Sequence, residues 1–232
     1  MNAVRNYQKE LEKILDKICC SQTAVAEDKA ISEVVQVPTL FLHSCCAPCS
    51  SYVLEYLRTF FKITVFYYNP NISMEEEYRK RVIEQKRLIA AYNNMIANGQ
   101  AKGYPIDIIE GDYEPEKFFQ MAKGMEQCPE GGERCFACYE LRLRETAKWA
   151  LNGKYDFFTT TLTISPLKNA KKLNEIGEAL AQEYGITWLP SDFKKKNGYK
   201  RSIELSAEYD LYRQNYCGCV YSKVQREQEK AR

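Results

Sequence analysis

Histidine is the first scarcity: the 232-residue chain has one, His43, which excludes any metal site built from several imidazoles. Long apolar runs are missing as well. No stretch of 18 or more apolar residues occurs, so no segment reads as a membrane-spanning helix. The opening MNAVRNYQKELEKILDKI carries Lys and Glu throughout and lacks the apolar centre of a secretory signal, so the expectation is a soluble, cytoplasmic protein with no membrane partner. Net charge is small: 33 Lys+Arg against 31 Asp+Glu leave +2, too little for a global field that concentrates nucleic acid, so any basic contact surface must be local. The signatures GxGxxG, GxxxxGK(S/T), GxSxG and HExxH are all absent, which argues against a Rossmann dinucleotide site, a P-loop NTPase, an α/β hydrolase and a zincin.

What is present is cysteine. Ten cysteines in an unexported chain sit in a reducing compartment, where clusters more often bind metals or do redox chemistry than form structural disulfides. With 45% hydrophobic and 28% charged residues the chain has ordinary globular composition and enough length for one sizeable core. The organisation we read is an N-terminal helix and linker over 1–37 and a single α/β domain over 38–232.

Val4, Tyr7, Leu11, Ile14, Leu15 and Ile18 recur at helical spacing, and the polar stretch 19–37 that follows reads as the linker, with Cys19 and Cys20 as incidental thiols. Beyond it, strands are predicted at 39–44, 63–68, 106–110, 156–162 and 186–189. Helices are predicted at 50–60, 74–94, about 115–123, 136–151 and 168–184. Continuous apolar strands alternating with amphipathic helices imply a doubly wound parallel sheet covered on both faces. Ligands of such sheets bind beyond the carboxyl ends of the strands. The residues there are HSCCAPCSS (43–51), NPN (69–71), GDYEPE (111–116), TTLTISP (160–166) and SDFKKKNGYKR (191–201).

Cys45 and Cys46 are adjacent, with Cys49 three residues on, at a turn entering a helix. Adjacent cysteines are poorly placed to bridge each other, whereas their thiolates can share a metal, and a helix N-terminus favours the thiolate form. Cys135 and Cys138 form a CxxC at a helix start, a spacing used by zinc, iron–sulfur and redox sites. Together Cys45, Cys46, Cys135 and Cys138 offer four thiolates, suited to a structural zinc or a 4Fe–4S cluster, and the position at the ligand edge of a well-cored sheet favours iron–sulfur. Cys217-Gly218-Cys219 is a third pair, either a redox-active dithiol or further metal ligands. Cys128 has no assigned role. His43 reads as a group behind the cysteine turn, a proton donor, or a satisfied polar side chain at a strand end.

HSCCAPCS after the first strand, YNPNI with EEYRKR, GDYEPE, GERCFACYELRL, TTTLTISPLKN and the terminal NYCGC together resemble the QueH family of epoxyqueuosine reductases, over about residues 38–220. The resemblance implies a fold like the adenine-nucleotide α-hydrolase (HUP) superfamily, with the phosphate loop replaced by the cysteine turn. It implies reduction of the epoxide of epoxyqueuosine at the tRNA wobble position to an alkene. It further implies a 4Fe–4S cluster on Cys45, Cys46, Cys135 and Cys138, and a redox-active pair at Cys217 and Cys219. An additional mononuclear iron beside the cluster would take Cys49, where the family often has an acidic residue. Electrons would come from a reduced carrier protein.

Three further expectations follow. Asp112 or Tyr113 delivers a proton to the epoxide oxygen. Lys194, Lys195, Lys196, Lys200 and Arg201, with Arg79, Lys80 and Arg81, contact tRNA phosphates. Tyr67, Tyr68, Phe193 or Tyr199 stacks on an extruded wobble base. Two competing readings are a zinc-stabilised, non-catalytic RNA-binding module, which leaves the CGC pair unexplained, and a tRNA thiolase-like enzyme, which would want a phosphate loop where this chain has CCAPC.

Overall fold

In the computed structural model the described residues are 5–27 and 36–231. Along them run α1 (Tyr7–Glu27), β1 (Thr39–His43), α2 (Ala47–Leu57), β2 (Lys62–Tyr67), α3 (Glu75–Ala97), β3 (Asp107–Glu110), α4 (Pro115–Ala122), α5 (Glu133–Asn152), β4 (Phe157–Thr160), a 3-10 turn (Thr161–Ile164), α6 (Ala170–Tyr184), β5 (Thr187–Trp188), α7 (Gly198–Glu208) and α8 (Val220–Lys230).

The strands form one sheet in the order β3-β2-β1-β4-β5, and every neighbouring pair is parallel. Side chains alternate across a strand, so β1 feeds two cores at once. Leu40 and Leu42 join Val53, Leu54 and Leu57 of α2 and Leu88 and Ile89 of α3 on one face. Phe41 joins Leu143 and Ala147 of α5 and Leu173 and Leu180 of α6 on the other. Two buried faces are what makes the strands read as continuous apolar runs. Helix α6 can lie this close to β5 because Gly177 has no side chain: a Cβ there would come within 2.3 Å of the Trp188 ring.

The doubly wound sandwich is as expected, with three local corrections. Helix α1 does not stop near Ile18 but continues to Glu27, since SQTAVAE contains neither Gly nor Pro to end it. Cys19 and Cys20 therefore lie exposed on a helix, not in a linker. Val4 and residues 28–35 of the expected linker lie outside the described residues. Leu11 and Leu15 bury this helix in the first core, and Arg5 ties its start to Glu178 of α6 at 2.7 Å. The fourth strand ends at Thr160, not Leu162, because the Thr160 side chain accepts from the Leu162 N–H and starts the 3-10 turn. Beyond β5, where the sequence predicts no helix, the chain forms α7 and then α8, the latter capped by the Cys219 sulfur, which accepts from the Ser222 N–H.

Strand order reverses between β1 and β4, so the crevice beyond their carboxyl ends is the topological switch point of the sheet. The turns after both strands meet there: the Cys45 N–H points to Thr161 Oγ1 at 3.5 Å.

Candidate active site

The turn after β1 is fastened from below. Ser44 N–H donates to the Phe66 carbonyl at 2.9 Å, Asn69 Nδ2 donates to the Ser44 carbonyl at 2.8 Å, and the Ser44 and Ser50 hydroxyls both donate to Gln85 Oε1. His43 is fully buried, its Nε2 on the Tyr68 carbonyl at 3.1 Å and its Nδ1 on Thr160 Oγ1 at 2.8 Å. A carbonyl only accepts, so Nε2 carries the hydrogen and Nδ1 accepts from the threonine. Burial and the charge of Arg142 push its pKa down to about 3, which favours the neutral imidazole and fits a satisfied polar group at the strand end.

This scaffold presents three sulfurs together. The Sγ atoms of Cys45, Cys46 and Cys49 lie within 4.8 Å of one another, close enough to hold a metal ion. Cys46 is the N-cap of α2, and Pro48 fits the first turn because no N–H is needed there. The three thiols share charge unequally. Hydrogen bonds from Cys45 and Cys49 push the Cys46 thiol well below its ordinary value, while the contact with Cys46 pushes Cys45 up to about 11, and contacts with both neighbours push Cys49 well above the ordinary range. Of the three, Cys46 is the one whose thiolate these contacts favour.

Cys135 and Cys138 stand on the first two turns of α5, and they line a small pocket of about 10 Å³ together with Cys217 and Cys219. The structure thus brings Cys45 and Cys46 together with Cys49, and Cys135 and Cys138 together with the CGC pair, in two adjoining cavities. Cys217, Lys168 and Glu130 line both. The larger one, a cleft of about 170 Å³, is also framed by Tyr199, Arg213, Gln214 and Tyr216. Gly218 lets the CGC segment pass close to α3: its φ is +112°, and a Cβ would come within 2.9 Å of Ile72 and 3.2 Å of the Arg81 guanidinium.

Around these sulfurs lie four buried cations, Arg81, Arg134, Arg142 and Lys168, with only two partly buried carboxylates, Glu77 and Glu130. Arg81 pairs with Glu77 at 2.6 Å and donates to the Cys217 carbonyl at 3.1 Å. Lys168 pairs with Glu130 at 3.1 Å. Arg134 spends its Nη1 on the carbonyls of Met125, Glu126 and Cys128, which fixes the irregular segment before α5. Arg142 is 1% exposed, donates through Nε to the Cys138 carbonyl, and leaves Nη2 buried with no partner. Among the described residues no carboxylate pairs with it. Burial works against its charge, and the sulfurs of Cys138, Cys217 and Cys45 outweigh that and raise its pKa. An isolated cation in such a place is strongly unfavourable, so an anionic occupant of the cysteine pockets fits the residues present.

Other expected site residues fall elsewhere. Asp112 is exposed and Tyr113 donates its hydroxyl to the Ile72 carbonyl at 3.0 Å, and neither lines a cysteine cavity. Tyr67, Tyr68 and Phe193 are buried in the cores, 0%, 2% and 1% exposed, so of the four expected stacking side chains only Tyr199 faces the cleft. Of the expected phosphate contacts, Lys194 pairs with Asp192, Lys196 with Glu12, Lys200 with Glu204, and Arg201 with Glu55, Glu204 and Glu208. Lys195 is exposed. Arg79 pairs with Glu75 and Glu110, Lys80 lies over the Tyr212 ring, and Arg81 is buried. Lys168, Glu130 and Arg142 were not singled out from the sequence. Arg142 had a signal: it lies four residues after Cys138, hence on the same helix face.

A model of the family described as Epoxyqueuosine reductase QueH matches residues 40–225. Curated proteins of that name are similar along most of their length. The Staphylococcus epidermidis protein is 41% identical over 93% of this chain and 91% of its own. The Streptococcus pyogenes protein is 39% identical over 92% and 84% respectively. The Thermotoga maritima protein is 32% identical over 83% and 94%.

Proposed function

The chain belongs to the QueH family of epoxyqueuosine reductases, and we propose that it reduces the epoxide of epoxyqueuosine at the wobble position of tRNA to the alkene of queuosine. The reaction consumes two electrons and two protons, breaks both epoxide C–O bonds and releases the oxygen as water. No protein side chain other than a thiol pair supplies electrons readily, so a redox centre is required. The observation that carries this reading beyond the family match is the gathering of seven cysteines around the uncompensated Arg142 at one edge of the sheet.

Cys45, Cys46, Cys135 and Cys138 would hold a 4Fe–4S cluster, and Cys49 an additional iron. When bound, the cluster supplies one-electron transfer next to the cleft. The chain's own residues do the rest. The fastened Ser44–Gln85–Ser50 network fixes the cysteine turn, and Arg142 balances negative charge behind it. Tyr199 and Tyr216 present aromatic faces in the cleft for a base turned out of the anticodon. Cys217 and Cys219 act as a dithiol whose oxidation to a disulfide releases two electrons and two protons, the same count the epoxide takes up. A reduced carrier protein returns the pair to the dithiol.

The test is direct turnover. Anaerobic protein with a chemical reductant is mixed with tRNA bearing epoxyqueuosine, and digested nucleosides are weighed by mass spectrometry. The expected product is one oxygen lighter, and Cys217→Ser abolishes it. Unchanged epoxyqueuosine with metal-loaded protein overturns the reading.

A further inference from the structure

The two sulfurs of the CGC segment have unlike surroundings. Cys217 faces both cavities, and its Sγ accepts from Lys168 Nζ at 3.4 Å and from Asn71 Nδ2 at 3.8 Å. Cys219 is 7% exposed, packs with Phe118, Ala122 and Cys138, and accepts only the Ser222 backbone N–H, at 3.3 Å. Lys168 is held in place by a closed ring of contacts. Its Nζ pairs with one oxygen of Glu130 at 3.1 Å, the other oxygen accepts from the Ser222 hydroxyl at 3.1 Å, and that hydroxyl accepts from the Cys217 N–H at 3.1 Å. The ring returns to its start through Lys168 and the Cys217 sulfur. Lys168, 9% exposed, is wedged between the Glu130 carboxylate and one sulfur of the pair, and that sulfur is Cys217 and not Cys219.

We propose that Lys168, anchored by Glu130 and Ser222, is the positioning residue that makes Cys217 the sulfur that opens thiol–disulfide exchange and Cys219 the sulfur that closes it. The inference rests on the redox reading of this pair and goes beyond it, by giving the two cysteines separate roles and naming the residues that impose them. In exchange with an external disulfide, Cys217 attacks as thiolate, its new S–S bond forms, and one external thiolate leaves. Cys219 then loses its proton and attacks the Cys217 sulfur, and the second external thiol is released. Two protein thiols are oxidised, and one disulfide is reduced to two thiols. The Lys168 ammonium donates to the Cys217 sulfur at 3.4 Å in the reduced pair, a contact that favours the dithiol over its disulfide.

The tryptic peptide spanning 214–223 carries Cys217 and Cys219 and no other cysteine, so one peptide reports on both. Anaerobically purified protein is equilibrated in glutathione redox buffers, quenched by alkylation, digested and weighed. In parallel, limiting iodoacetamide shows which sulfur reacts first. Cys217 is expected to be alkylated before Cys219, and Lys168→Met to lose about tenfold of that preference. The same variant moves the dithiol–disulfide equilibrium about tenfold toward the disulfide, about 30 mV more reducing. Lys168→Arg keeps the charge and restores most of both readouts. Glu130→Gln, which frees the lysine without removing it, falls between and decides the case if Lys168→Met does not fold. A pair that never forms a disulfide in the unaltered protein overturns the redox reading and this inference with it. A pair that oxidises normally, with preference and equilibrium untouched by Lys168→Met and Glu130→Gln, overturns this inference alone.

Discussion

The basic strip at 194–201 and the buried cations Arg81, Arg142 and Lys168 carry the same charge in opposite circumstances. Along the strip Lys194, Lys196, Lys200 and Arg201 each meet a carboxylate at the surface, so the run of charge seen in the sequence is largely spent within the molecule. Under the cysteines three cations share two carboxylates, and Arg142 has none among the described residues. Exposed ion pairs contribute little and are screened by salt, whereas buried charges must be balanced or they destabilise the fold. What marks a functional charge here is therefore an unmet need for a partner, and density of Lys and Arg in the sequence does not report it.

Arg81→Met leaves the partly buried Glu77 without its cation and the Cys217 carbonyl without its donor, and is expected to cost about 3 kcal/mol in urea unfolding. Arg142→Met sharpens the contrast because its sign depends on the metal centre. In metal-free protein it removes an uncompensated buried cation and stabilises by about 1 to 4 kcal/mol. In metal-loaded protein it removes the counter-charge, so metal content falls and the loaded form is destabilised. Destabilisation of both forms by equal amounts would show that Arg142 is ordinary packing.

Smaller effects are expected at the surface. Arg213 lines the cleft, donates to Ser206 Oγ at 3.0 Å, and has no carboxylate within ion-pair distance among the described residues. Arg213→Ala should weaken tRNA binding in filter-retention assays and lower the log–log salt slope by about 1. Lys196→Glu, which breaks only the exposed pair with Glu12, should change stability by about 0.2 to 1 kcal/mol and leave the salt slope nearly unchanged. A larger loss of tRNA affinity at Lys196 than at Arg213 would reverse the assignment of the contact surface.

The sheet was legible because its strands are buried on both faces and therefore stand out as short apolar runs separated by helices. Boundaries slipped where nothing in the local residues marks a stop, as at Ile18, or where a side chain starts a new turn, as Thr160 does. The cysteines were legible because CCAPC, CxxC and CGC are rare combinations. Their arrangement was not, since no spacing tells that Cys217 borders both cavities. Lys168 and Glu130 were invisible for a different reason: a lone Lys or Glu in a sequence reads as surface, and only the packing of α6 and the segment before α5 buries them. Tyr67 and Tyr68 were misread as base-stacking candidates because aromatic residues at a strand end look the same whether they face a ligand or the core.

The proposed iron–sulfur centre on these cysteines, balanced by Arg142, is open to a single chemical assay. The most direct test is the iron, acid-labile sulfide and zinc content of anaerobically purified protein, beside a Cys45→Ala/Cys135→Ala variant. About four iron and four sulfide per chain, lost together in the variant, are predicted. Stoichiometric zinc with neither sulfide nor visible colour would contradict the account and leave a zinc-stabilised RNA-binding fold.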